Sequence, residues 1–238
     1  MAVAEREHAA VEVVDLGTTP LRELNQRLHG LAAGGSGPRH WRVVNPSGTH
    51  AVACGLDAEI EVDIDGHVGY YCAGMNKLAT VRVHGNASTG IAENMMSGRV
   101  EVDGNVSQSA GATGRGGLLV VDGNASSRCG ISMKGIDIVV GGSVGHMSAF
   151  MAQTGCLVVC GDAGEALGDS IYEARLYVRG SVASLGADCI EKELRDEHLA
   201  QVAGLLAAAE IDADPAEFRR YGSARQLYTF KVDNAAAY

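Results

Sequence analysis

Seven glycines, Gly66, Gly85, Gly104, Gly123, Gly142, Gly161 and Gly180, each stand nineteen residues from the next. A chain with 32 glycines in 238 residues throws up isolated coincidences, but seven in one register define a structural repeat. Such a repeat folds as stacked coils that bury a shared core, because no single unit can bury its own apolar face.

The columns around the glycines set the coil's geometry. Four residues earlier stand Val62, Val81, Val100, Leu119, Ile138, Leu157 and Leu176, and two earlier stand Ile64, Val83, Val102, Val121, Val140, Val159 and Val178. Two residues later come Val68, Ala87, Val106, Ala125, Val144, Ala163 and Val182. Aliphatic side chains at every second position mark a strand with one inward face. The alternation of valine and alanine suits a narrow interior filled without voids. Nineteen residues leave no room for a helix in each unit, and β-branched inward positions favour strand. The expected fold is an all-β solenoid, a parallel β-helix of about seven coils.

Two further columns hold only small residues. Three after the glycine are Gly69, Ser88, Ser107, Ser126, Gly145, Gly164 and Ala183, and seven after are Ala73, Ala92, Gly111, Gly130, Ala149, Gly168 and Ala187. Tight corners need unusual dihedrals or close backbone approach, and bulk obstructs both. The sixth coil shows the full pattern, Gly161-x-x-Gly164-x-x-x-Gly168.

Repeated once per coil, that pattern resembles the C-terminal domain of the glutamate synthase large subunit, the GXGXG domain, a right-handed parallel β-helix of seven turns. The resemblance covers residues 51 to 190, with serine or alanine replacing some of the glycines. The same fold occurs as a free-standing subunit. The stretch Asn45-Pro46-Ser47-Gly48-x-His50-x-Val52-Ala53-Cys54-Gly55-Leu56 and the ending Arg220-Tyr221-Gly222-Ser223-Ala224-Arg225 are similar to the GlxC type, related to a subunit of N-methylglutamate synthase. A more distant likeness is to the β-helical component of formylmethanofuran dehydrogenase and of the formyltransferase/hydrolase complex.

The resemblance implies a non-catalytic structural subunit of a glutamate-synthase-like flavoenzyme. Its implied partners are a class II glutaminase-like subunit and an FMN-binding synthase-like subunit that also carries an iron-sulfur cluster. No cofactor is implied in this chain. The alternatives are a formylmethanofuran-type structural subunit and an autonomous sugar- or polymer-binding solenoid. The last predicts an exposed aromatic column, which the repeats lack.

The formal charge of −10, without basic clusters, argues against nucleic acid and anionic membranes as partners. The polar start, Met1 to Glu7, and the absence of a long apolar run point to a cytoplasmic protein. Six cysteines suggest a disulfide framework until they are placed on the coil. Cys72 and Cys129 share a column three coils apart, roughly 14 Å, and Cys156 and Cys160 are four residues apart on one strand; neither pair is in disulfide reach. All six read as small packing residues in a reducing compartment.

Residues 1–50 read as an N-terminal extension. Thr19 is its helix N-cap, Pro20 the first helical position, and Leu21, Leu24, Leu28 and Leu31 share one face. Gly34-Gly35-Ser36-Gly37-Pro38 ends that helix, and Trp41 to Val44 begin an extended lead into the first coil. Residues 191–238 read as C-terminal helices and a tail. A helix over Glu191 to Ala209 covers the end or flank of the solenoid, a short helix starts at Asp214-Pro215 and stops at Gly222, and Tyr228, Phe230 and Tyr238 lie in the tail.

Chemistry is sparse. Asn86, Asn105 and Asn124 follow the repeat glycine in successive coils and read as an amide ladder. Asp65, Asp103 and Asp122 precede it and suggest calcium, but the calcium-binding β-roll has period nine. His67 and His84 flank one corner without a third metal ligand. Gly111 to Gly117 is glycine-rich yet lacks the Gly-Lys-Ser/Thr ending of a phosphate loop. The chain starts Met1-Ala2 in place of the N-terminal cysteine of class II amidotransferases, so the glutaminase step is expected elsewhere, and no catalytic residue is nominated.

One asymmetry stands out. Three residues before the glycine, on the outward face, the column runs Asp63, Arg82, Glu101, Val120, Val139, Val158 and Tyr177. Four stacked apolar side chains there need cover, from a flanking segment of this chain or from a partner. Val120, Val139, Val158 and Tyr177, with Arg115, are the candidate partner interface.

Overall fold

The structure is a computed structural model and describes residues 11–32 and 36–224. Among the described residues eleven strands form one sheet, the first nine side by side in chain order, followed by the eleventh and then the tenth. The strands β3 (Glu61–Asp65), β4 (Thr80–Val83), β5 (Arg99–Val102), β6 (Leu118–Val121), β7 (Lys134–Val140), β8 (Thr154–Val159) and β9 (Arg175–Val178) are parallel and keep the nineteen-residue register. Val62 lies opposite Val81, and the column continues through Leu157 opposite Leu176. The chain is a parallel β-solenoid, as the repeat predicts.

The two inward columns before the glycine are buried throughout, and each large aliphatic contributes about 1.5–3 kcal/mol by leaving water. At the corner beyond it, Val68, Ala87, Val106, Ala125, Val144, Ala163 and Val182 form successive parallel bridges. Valine thus meets alanine at every rung, the packing that the alternation predicts.

The glycine column is required by close approach. A methyl group on Gly123 would stand 2.6 Å from the carbonyl oxygen of Gly104. That same oxygen accepts the Gly123 N–H at 3.1 Å, and the bond recurs from Gly85 to Gly180. Only Gly66, at the start of the column, has a left-handed φ, +132°.

Beyond the corner, left-handed φ recurs at alternate positions five, seven and nine after the glycine, as in Tyr71 (62°), Ala73 (51°) and Met75 (57°). Their N–H groups point alternately to the coils ahead and behind: Tyr71 to Thr89 O (2.9 Å), Ala92 to Cys72 O (3.0 Å), Met75 to Glu93 O (2.8 Å). The backbone tolerates the left-handed cost, about 1–2 kcal/mol per residue, because this alternation satisfies its hydrogen bonds in both directions. Position seven is small because it also points inward: a Cβ on Gly111 would sit 2.6 Å from Ile138 Cδ1. Positions five and nine point outward and carry tyrosine, arginine and methionine at the same φ.

The stack begins earlier than residue 51. β2 (His40–Val44) pairs in parallel with β3, and β1 (Val11–Asp15) with β2. Val43 lies opposite Ile64, twenty-one positions on, so this coil is two residues longer than the rest and escapes the nineteen-residue register. Between β1 and β2 runs α1 (Leu21–His29), whose Leu24 and Leu28 are buried in the core. Its Asn25 Oδ1 accepts the N–H of Ala53 (3.1 Å), the group whose equivalent one coil on, Ala73, donates to Val52 O. The helix therefore closes a solenoid end that would otherwise leave backbone donors unpaired. Its N-cap is Pro20, without a side-chain cap bond; Thr19 belongs to the turn leaving β1, donating to Asp15 O at 2.8 Å.

The C-terminal segment departs further from expectation. Residues at the start of the expected helix form β10 (Cys189–Lys192), and α2 (Asp196–Ala208) follows. A 3₁₀ turn, Pro215–Glu217, is capped by the Asp214 side chain. Gly222 ends no helix; it lies in β11 (Arg219–Ser223), antiparallel to both β9 and β10. Gly34, Gly35, Arg225 and the tail aromatics Tyr228, Phe230 and Tyr238 lie outside the described residues.

Candidate functional site

The outward sheet face has two halves. On β2 to β5 it is an ionic network. Asp63 bonds His40 and lies 3.3 Å from His84 Nε2, whose Nδ1 is 2.9 Å from Asp103. Arg82 meets Glu61 and Glu101 at 2.8 Å each, and Arg42 meets Asp65 at 2.7 Å. The hydrogen bond to Asp103 leads in pushing the His84 pKa up. Asp122 pairs with no cation among the described residues, and burial, then Asp103 and Glu101, push its pKa up. His67 does not join His84; its Nδ1 accepts the Asn86 N–H at 2.9 Å. Among the described residues no group of three or more His, Cys, Asp or Glu is placed to hold a metal ion.

On β6 to β9 the face is apolar and covered by this chain. Val120, Val139, Val158 and Tyr177 stack in register and pack with Val202, Leu206 and Ala209 at α2 and with Phe218. Val139, Val158 and Tyr177 are 0% exposed, so this column is an intramolecular seam and not a free docking face. Sequence periodicity places the four residues together correctly; it does not show which segment covers them. Arg115 is separate from them, exposed on the corner before β6. Near it in the coil register, Met75, Met96, Met151 and Tyr172 are 36–48% exposed.

Where α2 meets the sheet, a polar cleft of about 460 Å³ opens, lined by Asp137, Thr154, Cys156, Glu173, Arg175 and Gln201. Asp137, Cys156 and Arg175 are consecutive rungs of one outward column, five residues before the repeat glycine. Asp137 Oδ1 accepts the Cys156 N–H at 3.0 Å. Gln201 Oε1 accepts from Arg175 Nη1 (2.9 Å) and from the Tyr177 hydroxyl (2.8 Å). Burial raises the Asp137 pKa and pushes the Cys156 thiol and the Tyr177 hydroxyl each to about 12, so both stay protonated at neutral pH. The signal for this cleft lies in the sequence, in a charged residue at two rungs of an otherwise covered face, but only α2 brings Gln201 to it.

All six cysteines are free, five of them buried. No helix among the described residues is long and apolar enough to cross a membrane. Gly111 to Gly117 carries left-handed φ at Gly111, Thr113 and Gly117 and leads into β6, where no helix terminus awaits a phosphate.

These features define a parallel β-solenoid with a stacked glycine corner, one end closed by a helix and half of its sheet face roofed by another. No family model matches the chain. Protein GlxC of Rhizobium meliloti (strain 1021) is 65% identical to it over 227 residues, spanning 95% of this chain and 99% of that protein. The chain belongs to the GlxC family.

Proposed function

We propose that this chain is the structural subunit of a glutamate-synthase-like flavoenzyme complex, N-methylglutamate synthase or a related glutamine-dependent synthase. In this reading it holds a class II glutaminase-like subunit against a synthase-like subunit that carries FMN and an iron-sulfur cluster. Ammonia or methylamine then passes between fixed sites, which is a gain in proximity and preorganisation. The observation that carries the reading is the hydrogen-bonded glycine corner, continuous from Gly85 to Gly180, in a chain of the GlxC family. Such a stack resists bending and suits a spacer between two enzymes.

The contact with those partners is assigned to the corner that presents Arg115 together with Met75, Met96, Met151 and Tyr172, since the apolar column Val120 to Tyr177 is already roofed. Flexible methionines beside an arginine are suited to protein contact. The test is to purify the tagged chain at native expression level and record the absorbance spectrum and the masses of what accompanies it. Two further subunits with flavin and iron-sulfur absorption are expected. A colourless, monodisperse single chain would overturn the reading.

A further inference from the structure

The geometry points to the cleft between α2 and the β7–β9 face as a binding site for a free α-amino acid, its carboxylate held by Arg175 and Gln201 and its ammonium by Asp137. This inference concerns the chain's own residues and does not rest on the scaffold role.

The cleft holds donors and acceptors along one column, Arg175 with Gln201 at one end and Asp137 two rungs away at the other. Arg can only donate, so the Gln201 atom that receives Arg175 and the Tyr177 hydroxyl is the amide oxygen. The orientation of the amide follows, and its nitrogen keeps both N–H donors unused among the described residues. Arg175 gives one of its five N–H groups to Gln201 and makes no ion pair among the described residues. Two rungs from Arg175, Asp137 uses Oδ1 for the Cys156 N–H, and Asp137 and Glu173 have no cationic partner within salt-bridge distance among the described residues.

This differs from the face on β2 to β5, where Arg42, Arg82 and Arg99 are each neutralised by a neighbouring carboxylate. In the cleft a guanidinium and carboxylates share one hollow without meeting. A ligand that carries both charges satisfies both Arg175 and Asp137, whereas a simple anion or cation satisfies one and faces repulsion from the other. The spacing fits. Arg175 and Asp137 are two rungs apart, about 9.6 Å between backbones, and two charge-assisted hydrogen bonds joined by the short N–Cα–C link bridge side chains reaching inward across it. The 460 Å³ volume leaves room for the ligand's side chain beside Thr154 and Glu173. The buried Cys156 forms the floor.

The experiment is calorimetric titration of the full chain, with any subunits that co-purify, using L-alanine, L-glutamine and L-lysine as probes. N-acetyl-L-alanine and L-alaninamide each lack one of the two charges. At least one free amino acid is expected to bind saturably with one ligand per chain, and both blocked probes to bind about tenfold more weakly or worse. Arg175→Met and Asp137→Asn are each expected to weaken binding by a similar factor while leaving the melting temperature close to wild type. Should one variant fail to fold, the other and the blocked probes still decide. Absence of saturable binding, equal binding of the blocked probes, or indifference to the substitutions would overturn the assignment.

Discussion

Asn105 Oδ1 accepts the backbone N–H of Asn124, one coil on, at 2.8 Å. The relation extends along the corner: His67 Nδ1 to Asn86, Asn86 to Asn105, Asn124 to Ser143, Ser143 Oγ to Asp162 and Asp162 to Ser181. The ladder that recurs in every coil is therefore side chain to backbone, its residues having an acceptor atom in common, and the side-chain bonds Asn124 Nδ2 to Asn105 Oδ1 (3.2 Å) and Ser181 Oγ to Asp162 Oδ1 (2.8 Å) add to it locally. Three asparagines are visible in the sequence as a run, but histidine, serine and aspartate play the same part beside them.

Asn105→Ala should then leave the Asn124 N–H to water. The site is exposed, so the loss is expected to be about 1 kcal/mol, and Asn105→Asp, which keeps the acceptor, should retain most of it. Urea unfolding of the two variants checks this; equal losses would show that the amide nitrogen matters.

Gly123→Ala and Ala92→Gly separate the two reasons for small residues. A methyl at Gly123 meets carbonyl oxygen and carbon of Gly104 at 2.6 and 2.8 Å, backbone that is itself fixed in the stack. A loss of about 2–4 kcal/mol is expected. Ala92 is left-handed at φ 55° and buried, so glycine there relieves strain and removes a buried methyl in similar measure. Stability should stay within about 1 kcal/mol of wild type. The paired midpoints in denaturant are the measurement.

The legibility of this fold follows from the same distinction. Inward positions are readable because steric limits act on the side chain itself: Val62 to Leu176 and Ala73 to Gly168 announce their columns. The left-handed backbone at Tyr71, Arg128 and Met147 leaves no mark, because its stabilisation is hydrogen bonding by main-chain atoms and the side chains point outward. The first coils are hidden by length, two extra residues before Ile64 and a helix between Val14 and Val43. The antiparallel β11 is hidden for another reason. Its Gly222 and Tyr221 pair with β10 and β9, partners remote in sequence whose choice no local pattern records. For the cleft, Asp137 and Arg175 were open to view in their column, while Gln201 depends on how α2 docks.

Leu206→Ala tests that docking. Leu206 is buried against the Val120 to Tyr177 column, and its truncation should cost about 2–4 kcal/mol. Because α2 lies on the sheet from outside the coils, hydrogen exchange should accelerate in Asp196–Ala208 first and leave β3 to β5 protected. Uniform loss of protection would mean that roof and coils unfold as one unit.

Two histidines give opposite pH signatures in one window. The folded pKa of His84 is raised, led by its bond to Asp103, so its contribution is present below the unfolded value of about 6.5 and lost as pH rises through the folded one. His198 is buried at the start of α2, where Nδ1 accepts the Arg195 N–H at 3.1 Å, an arrangement that needs the neutral ring. Burial leads in lowering its pKa, with Arg220, Arg175 and Arg195 adding and Glu197 opposing. Its contribution is therefore present above about 6.5 and lost as pH falls below that value. Melting temperatures from pH 5 to 8 should show His84→Gln destabilised chiefly at the acid end. His198→Gln should flatten the acid-side decline that remains. A His84→Gln deficit that grows toward pH 8 would reverse the sign and rule out the Asp103 pair as its source.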